Sequence, residues 1–423
     1  MRIAGGVVVT PEGAREADVV VDDGKIASID APSRSGDVDA RGCLVLPAGL
    51  DPHAHPLADI GPATVSAAHG GTTTVLAFTV PRPGEPPAAA FERARDELVP
   101  QAAIDVRLHP AIWEPDRLGR AELEDLARVG ARSVKLYLAF PELGMLVSDR
   151  TLYETLRDAS RLGLLVQVHC ESSGPIDALV EEAIVAGRTD ARAFADTRPP
   201  LVEEEGVTRT LALARLAEAP VYLVHLTTAG SLDLVREARR RGQTVWAEAC
   251  THHLVLDEGR YDGPDPDRYV VVPPLRSRKH VEALWEGVAD GTIDAIGSDH
   301  AQSRYAPPFP SGDFRSLPYG FAGLEVRLPL VLSEGTRRGI RPERLADLLA
   351  GGPARAFGLA QAKGAVVPGA DADLVVWNPE PRWTIRSEEL HDGLGDSPFA
   401  GLAVHGAIRD VFLRGREVGS AGG

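Results

Sequence analysis

Cysteine is scarce in this chain. Three residues in 423, Cys43, Cys170 and Cys250, are too few and too odd in number for a disulfide framework, so a reducing compartment is expected. Cys170 and Cys250 lie beside apolar, strand-like runs and read as small packing residues rather than nucleophiles. Positive charge is also in deficit. Lys and Arg total 45 against 61 Asp and Glu, a formal net charge of −16. Nucleic acids and anionic membranes call for a basic surface, and neither is an expected partner. No run of about 18 uninterrupted apolar residues occurs, which argues against a transmembrane helix. The opening Met-Arg-Ile-Ala-Gly-Gly leads into no long apolar stretch with a cleavage site. No signal peptide is expected, and the cytoplasm is the default location.

What is present is a globular composition, 44% hydrophobic and 25% charged, in a chain long enough for more than one domain. Both ends are β-rich. Val7–Val9 and Asp18–Val21 precede the tight-turn pair Asp23-Gly24, with Ile26 and Ile29 beyond it. Near the other end, Ala372–Trp377 and Ile408–Leu413 are strand-like. Between them, short apolar runs alternate with helical stretches, the pattern of a parallel sheet. Eight candidate strands are Leu44–Leu50, Thr73–Val80, Asp105–Ile112, Ser133–Ala139, Leu164–Val168, Val221–Leu226, Thr244–Ala249 and Ile293–Gly297. The expected fold is α/β: a (β/α)8, TIM-like barrel over residues 49–357, with a small β-sandwich domain built from 1–48 and 358–423. One helix is legible in detail, with Ser231 as N-cap, Leu234, Val235 and Ala238 as apolar stripe and Gly242 as stop. Pro-rich stretches at 81–87, 306–310 and 378–382 read as loops, the first two overhanging the barrel mouth.

Six scattered residues, each at or near the end of such a run, carry the chemistry. In Asp51-Pro52-His53-Ala54-His55, two histidines two apart point to one side of an extended chain and can share a cation. Two unrelated surface or core histidines fit the same pair. Lys135 lies within the apolar Ser133–Leu138 run; it either snorkels to the rim or is buried with a lowered pKa. A neutral amine of that kind can capture carbon dioxide as a carbamate, an anionic two-oxygen group suited to bridging two metal ions. His169 follows Leu164–Val168, and His225 follows Val221–Val224. Asp299 follows Ile296-Gly297-Ser298 and is also readable as a turn cap. In a barrel, ligands gather at the C-terminal ends of strands, and all six fall there.

With these residues in place, the chain resembles the amidohydrolase superfamily, in particular its cyclic amidohydrolase branch of dihydroorotases, hydantoinases (dihydropyrimidinases) and allantoinases. The resemblance covers nearly the whole chain. Gly49-Leu50-Asp51-Pro52-His53-Ala54-His55 is similar to the hydantoinase first-strand motif, and Gly71-Thr72-Thr73-Thr74 to the second-strand entry. Val224–Ser231 and Ala247–Leu254 resemble dihydroorotase segments. Pro273-Pro274-Leu275-Arg276 and Ser298-Asp299-His300-Ala301 resemble both groups, and Gly369–Val376 the superfamily's C-terminal sheet. The resemblance implies two divalent metal ions per chain, zinc first, with manganese, iron or cobalt as alternatives. His53, His55 and Asp299 would hold one ion, His169 and His225 the other, and N6-carboxylated Lys135 would bridge them. It further implies hydrolytic opening of a cyclic amide, imide or ureide, with Asp299 as the catalytic proton carrier, and a homodimer or homotetramer. Deaminases and linear-amide hydrolases on the same barrel are an alternative, although deaminases typically use one metal and no bridging lysine. A catalytically silent scaffold is another, although such relatives have lost ligands that are all present here.

The substrate pocket departs from both groups. Dihydroorotases carry Leu-Arg after the second histidine, where this chain has Pro56-Leu57, and an Asn where it has Phe78-Thr79-Val80-Pro81. Arg82 is a candidate replacement for that arginine, although a solvated loop arginine is the favoured reading. The hydantoinase oxyanion tyrosine corresponds to Phe140, with Tyr137 as a possible substitute. The polar residue before Pro-Pro-Leu-Arg is Val272, and the Asn of the loop after strand eight is Tyr319. Losing one oxyanion donor costs about 2.7–4 kcal/mol, so these changes point to a different, more apolar substrate. In ring-opening assays over hydantoin, dihydrouracil, dihydroorotate, allantoin and simple cyclic imides, dihydroorotate is expected to be the poor substrate; its robust turnover would refute the pocket argument.

Overall fold

The structure is a computed structural model that describes residues 1–33, 35–301, 313–317 and 319–420. The expected loop at 306–310 lies outside the described residues.

The middle of the chain folds as alternating strands and helices. Gly49–His55, Thr72–Phe78 and Asp105–His109 pair in parallel, with the short His300–Ala301 strand on the other side of Gly49–His55. Ser133–Tyr137, Leu165–His169, Val221–Leu223, Val245–Cys250 and Ala295–Gly297 form a second parallel sheet in that order. These strands are covered on both faces, which is why they read as near-continuous apolar runs rather than alternating ones. The two sheets meet at two places. At one, Lys135 N donates to Pro110 O at 2.8 Å and Ile112 N to Lys135 O at 3.1 Å. At the other, Ser298 N donates to Asp51 Oδ1 at 3.1 Å and Asp299 N to His53 O at 2.9 Å. Both seams therefore run through residues singled out from the sequence.

Strands from both chain ends form an eight-stranded sheet. In order it contains Arg416–Ser420, Ala403–Leu413, Leu374–Thr384, Leu44–Pro47, Arg2–Thr10, Gly13–Asp22 and Lys25–Asp30, with Val38–Asp39 also pairing with the first strand. Hydrogen bonding joins seven of them in one path, with Val38–Asp39 paired off it. Leu44–Pro47 makes the join. It pairs in parallel with Val7 and Val8 and antiparallel with Leu374–Trp377. Ile3, Val8, Val19 and Ile26 share one apolar cluster with Leu374, Val376 and Phe412. At the expected hairpin, Asp23 and Gly24 both take positive φ (44° and 73°).

Three local expectations change. The run Leu44–Leu50 is two strands: Leu44–Pro47 belongs to the terminal sheet, and the ligand-bearing strand starts at Gly49. A Cβ at 49 would lie 2.6 Å from Arg327 Nη2 and 2.8 Å from Thr72 Oγ1, so the chain passes this point only as glycine. The helix Ala229–Arg240 is capped by Thr228, whose Oγ1 accepts from Ser231 N at 3.1 Å. Ser231 instead donates its Oγ to Glu203 Oε1 at 2.7 Å. Its buried stripe is Leu232, Val235 and Ala238. Residues 378–382 are not a loop but a register shift within Leu374–Thr384, where Pro379 and Pro381 need donate nothing to the ladder.

Arg327, wholly buried on the helix Leu324–Arg337, fastens these layers. Its Nη1 donates to Ile296 O at 2.8 Å, its Nη2 to Thr72 Oγ1 at 3.2 Å, and its Nε lies 3.4 Å from Asp51 Oδ2. Burial raises the Asp51 pKa, and the guanidinium opposes that shift. Removing one partner of a buried pair strands the other charge, at about 3–5 kcal/mol. Arg327→Met is therefore expected to lower the thermal midpoint, followed by circular dichroism; an unchanged midpoint would contradict this role.

Candidate metal centre

A cavity of about 260 Å³ opens where the strands end, and His53, His55, Lys135, His169, His225 and Asp299 all line it. His53 and His55 come from Gly49–His55, Lys135 from the middle of Ser133–Tyr137 and His169 from the last position of Leu165–His169. His225 and Asp299 each sit two residues past a strand, after Val221–Leu223 and Ala295–Gly297. Both adopt left-handed backbone, at φ 36° and 48°. Such a conformation costs a non-glycine residue roughly 1–3 kcal/mol, and it turns both side chains inward.

Buried carboxylates fix the imidazoles. His53 Nδ1 lies 2.7 Å from Glu248 Oε1, so Nδ1 carries the proton and the Nε2 lone pair faces Asp299 Oδ1 at 3.2 Å. A lone pair facing a carboxylate oxygen at that distance requires a cation between or beside them. In the protein alone a proton fills that need. Burial works against charge on His53, but Asp299 and then Glu248 outweigh it and raise its pKa to about 9. His55 Nε2 lies 3.4 Å from the same Asp299 oxygen, and burial lowers its pKa. His169 Nε2 faces Glu171 Oε2 at 3.0 Å, which leaves the Nδ1 lone pair aimed at His225 Nε2, 2.9 Å away. His225 is pushed well below its ordinary pKa by burial and then by its neighbours His169 and Lys135. Two pairs of donors thus converge, and His53, His225 and Asp299 offer ligand atoms within 4.8 Å of one another. This donor set fits divalent ions.

Lys135 is 1% exposed, and its Nζ lies over the rings of Phe78 (4.8 Å) and Tyr137 (5.3 Å). Burial, only partly countered by Asp299 and Glu248, lowers its pKa to about 8. Burial would raise Asp299, but His53 and the hydrogen bonds from His53 and His55 hold its carboxyl well below the usual range.

The rest of the cavity is largely apolar. Phe140, Val272 and Tyr319 line it, together with Trp113, Leu143 and Met145. Tyr319 Oη donates to Phe314 O at 3.3 Å, and its ring stacks on Phe194. Tyr137 is buried and lines the cavity too. Arg82 is not brought to it. That residue is exposed and borders a separate hollow with Glu85, Glu114 and Arg117. Its backbone N donates to Glu85 Oε2 within the 81–86 loop.

Sequence reasoning missed Glu248 and Glu171. Glu248 is wholly buried and accepts from His53, from Tyr222 Oη at 2.7 Å and from His225 N at 3.1 Å. A carboxylate inside the apolar run Val245–Cys250 is the same kind of signal that drew attention to Lys135. Glu171 follows His169 by two residues, a spacing that alone says little.

The profile of the Amidohydrolase family matches residues 44–418, and the chain belongs to that family. Within it, the chain is similar to the D-hydantoinases of Geobacillus stearothermophilus, 36% identical over 437 residues covering 98% of this chain and 92% of the relative, and of Ralstonia pickettii, 35% identical over 431 residues covering 98% and 94%. Among solved structures it is similar to the dihydropyrimidinase from Brevibacillus agri, with a TM-score of 0.93 at 34% identity, covering 99% and 95%. Among the described residues no helix is long and apolar enough to cross a membrane.

Outer partners of this kind change metal affinity about 10–100-fold when mutated. Glu248→Gln, which cannot accept all three bonds as a carboxylate does, is expected to weaken divalent-ion binding by that factor in competition with a chelator. Unchanged affinity would remove Glu248 from the centre.

Proposed function

We propose that the chain is a metal-dependent hydrolase that opens a C–N bond of a cyclic amide, imide or ureide. The observation that carries this reading is the convergence of four histidines, Lys135 and Asp299 on one cavity, with outer carboxylates setting the tautomers of His53 and His169. The hydantoinase and dihydropyrimidinase names of its relatives agree with it. The reading includes a closed (β/α)8 barrel made from the two parallel sheets, a catalytic domain at 49–357 and a terminal domain at 1–48 and 358–423. It also includes a homodimer or homotetramer in the cytoplasm, with a small-molecule partner and neither nucleic acid nor membrane.

His53, His55 and Asp299 would hold one ion and His169 and His225 the second, zinc first among the candidates. When bound, such ions supply a nucleophilic water at neutral pH and polarise the carbonyl. Lys135 has the burial its role requires. Its neutral Nζ would attack the carbon of CO2, one N–H proton would leave to solvent, and the resulting carbamate would add an anionic two-oxygen donor to the histidines and Asp299. Asp299 starts ionised, accepts the proton of the attacking water, and delivers it to the departing ring nitrogen. Phe140, Val272 and Tyr319 offer the ring no side-chain donor of the hydantoinase kind, since the Tyr319 hydroxyl is directed to Phe314. They favour a ring whose remaining surface is apolar.

Metal analysis and ring-opening kinetics of wild type and Lys135→Ala test the proposal together. Two ions per chain and measurable turnover are expected for wild type, with both lost in the variant. Growth with 13C-bicarbonate should add a carbamate carbon resonance to wild type alone. Full metal content or full turnover in Lys135→Ala would overturn the mechanism.

A further inference from the structure

A second group of donors lies behind the centre. Val245–Cys250 runs straight into a short helix, Thr251–Val255, which gathers Cys250, His252 and His253. Sγ of Cys250 and a ring nitrogen of each histidine lie within 4.8 Å of one another. All three side chains are buried. Buried imidazoles ordinarily find hydrogen-bond partners. Here His253 Nε2 faces Pro273 O at 3.0 Å, so Nε2 carries the proton and Nδ1 the lone pair, and that Nδ1 has no partner. The Ser298 backbone lies beside His252 and acts weakly on it. Neither nitrogen of His252, however, reaches hydrogen-bond geometry with any group. The nearest polar contact of Cys250 Sγ beyond its own cluster is Glu248 Oε1, at a long 3.8 Å. Two imidazoles with unpartnered nitrogens and one weakly engaged thiol thus face one small volume, just past the strand that carries Glu248.

We propose that Cys250, His252 and His253 form a third metal site, for a thiophilic divalent cation of the zinc class. One sulfur and two imidazoles select Zn2+, Co2+ or Cd2+ over Mg2+ and Ca2+. Zinc–sulfur and zinc–nitrogen bonds of about 2.3 and 2.0–2.1 Å need the donors to close only slightly, which rotation of the Cys250 and histidine side chains supplies. Binding replaces the thiol proton, which leaves to solvent, and the thiolate offsets one of the two positive charges. The ion fastens the end of the Glu248-bearing strand to the helix that follows it. It is distinct from the catalytic pair, whose donors are imidazole, carboxylate and carbamate.

That difference supplies the test. The full-length chain is expressed with cobalt in the medium, so that a buried site is filled during folding. Cobalt per chain is counted, and the near-ultraviolet spectrum is searched for a thiolate-to-cobalt charge-transfer band, which oxygen and nitrogen ligands do not produce. Wild type is expected to show the band and to hold one ion more than Cys250→Ser, which loses the band. Cys43→Ser and Cys170→Ser should keep both, and His253→Phe should lose both. Absence of the band in wild type overturns the proposal whether or not any variant folds. So does persistence of the band in Cys250→Ser. Loss of the catalytic ions in Lys135→Ala with the band retained would separate this site from the other reading.

Discussion

The site depends on charges that cannot reach water. Glu248, Asp51 and Glu171 are removed from bulk solvent, Asp299 is mostly so at the cavity wall, and each must be answered by a donor or a cation. Glu248 is answered by an imidazole from one strand, and by a phenol and a backbone N–H from another and the turn that follows it. Its position therefore decides which nitrogen of His53 is free, and with it the direction of the lone pair. Glu171 does the same for His169. The inner donors converge because the outer acceptors leave them no other tautomer.

The same constraint links the centre to the framework. Asp51, two residues before His53, accepts from the backbone of His53 and of Ser298 and faces the buried Arg327. Arg327 in turn holds Thr72 and Ile296. The first ligand strand, its neighbour and the strand leading to Asp299 are thus registered by one guanidinium. Left-handed backbone at Asp299 follows directly on the strand held by that registration, in a conformation the residue would not adopt freely.

Much of this was legible in the sequence, and the reasons differ by element. The strands stood out because burial on both faces leaves them mostly apolar. Five of the six ligand candidates followed from where those runs end and Lys135 from its place inside one, and the structure gathers all six around one cavity. The split of Leu44–Leu50 was hidden because a continuous apolar run carries no mark where it passes from one sheet to another; only the crowding around Gly49 reveals it. Thr228 and Ser231 are both good caps, and pattern alone does not choose between them. Arg82 is the exposed loop arginine that the sequence favoured, outside the cavity. Nearness along the chain to a strand end says nothing about which way a loop side chain turns. Glu248 and Glu171 were overlooked because a carboxylate is informative only once its burial is known.

The placement of Leu44–Pro47 bears on how the chain is made. One side of this strand is completed by Val7 and Val8, which precede it, and the other by Leu374–Trp377, which emerge more than three hundred residues later. During synthesis the segment that feeds His53 and His55 thus keeps an open edge until Leu374–Trp377 has left the ribosome. A nascent chain with such an edge is a natural client for a chaperone.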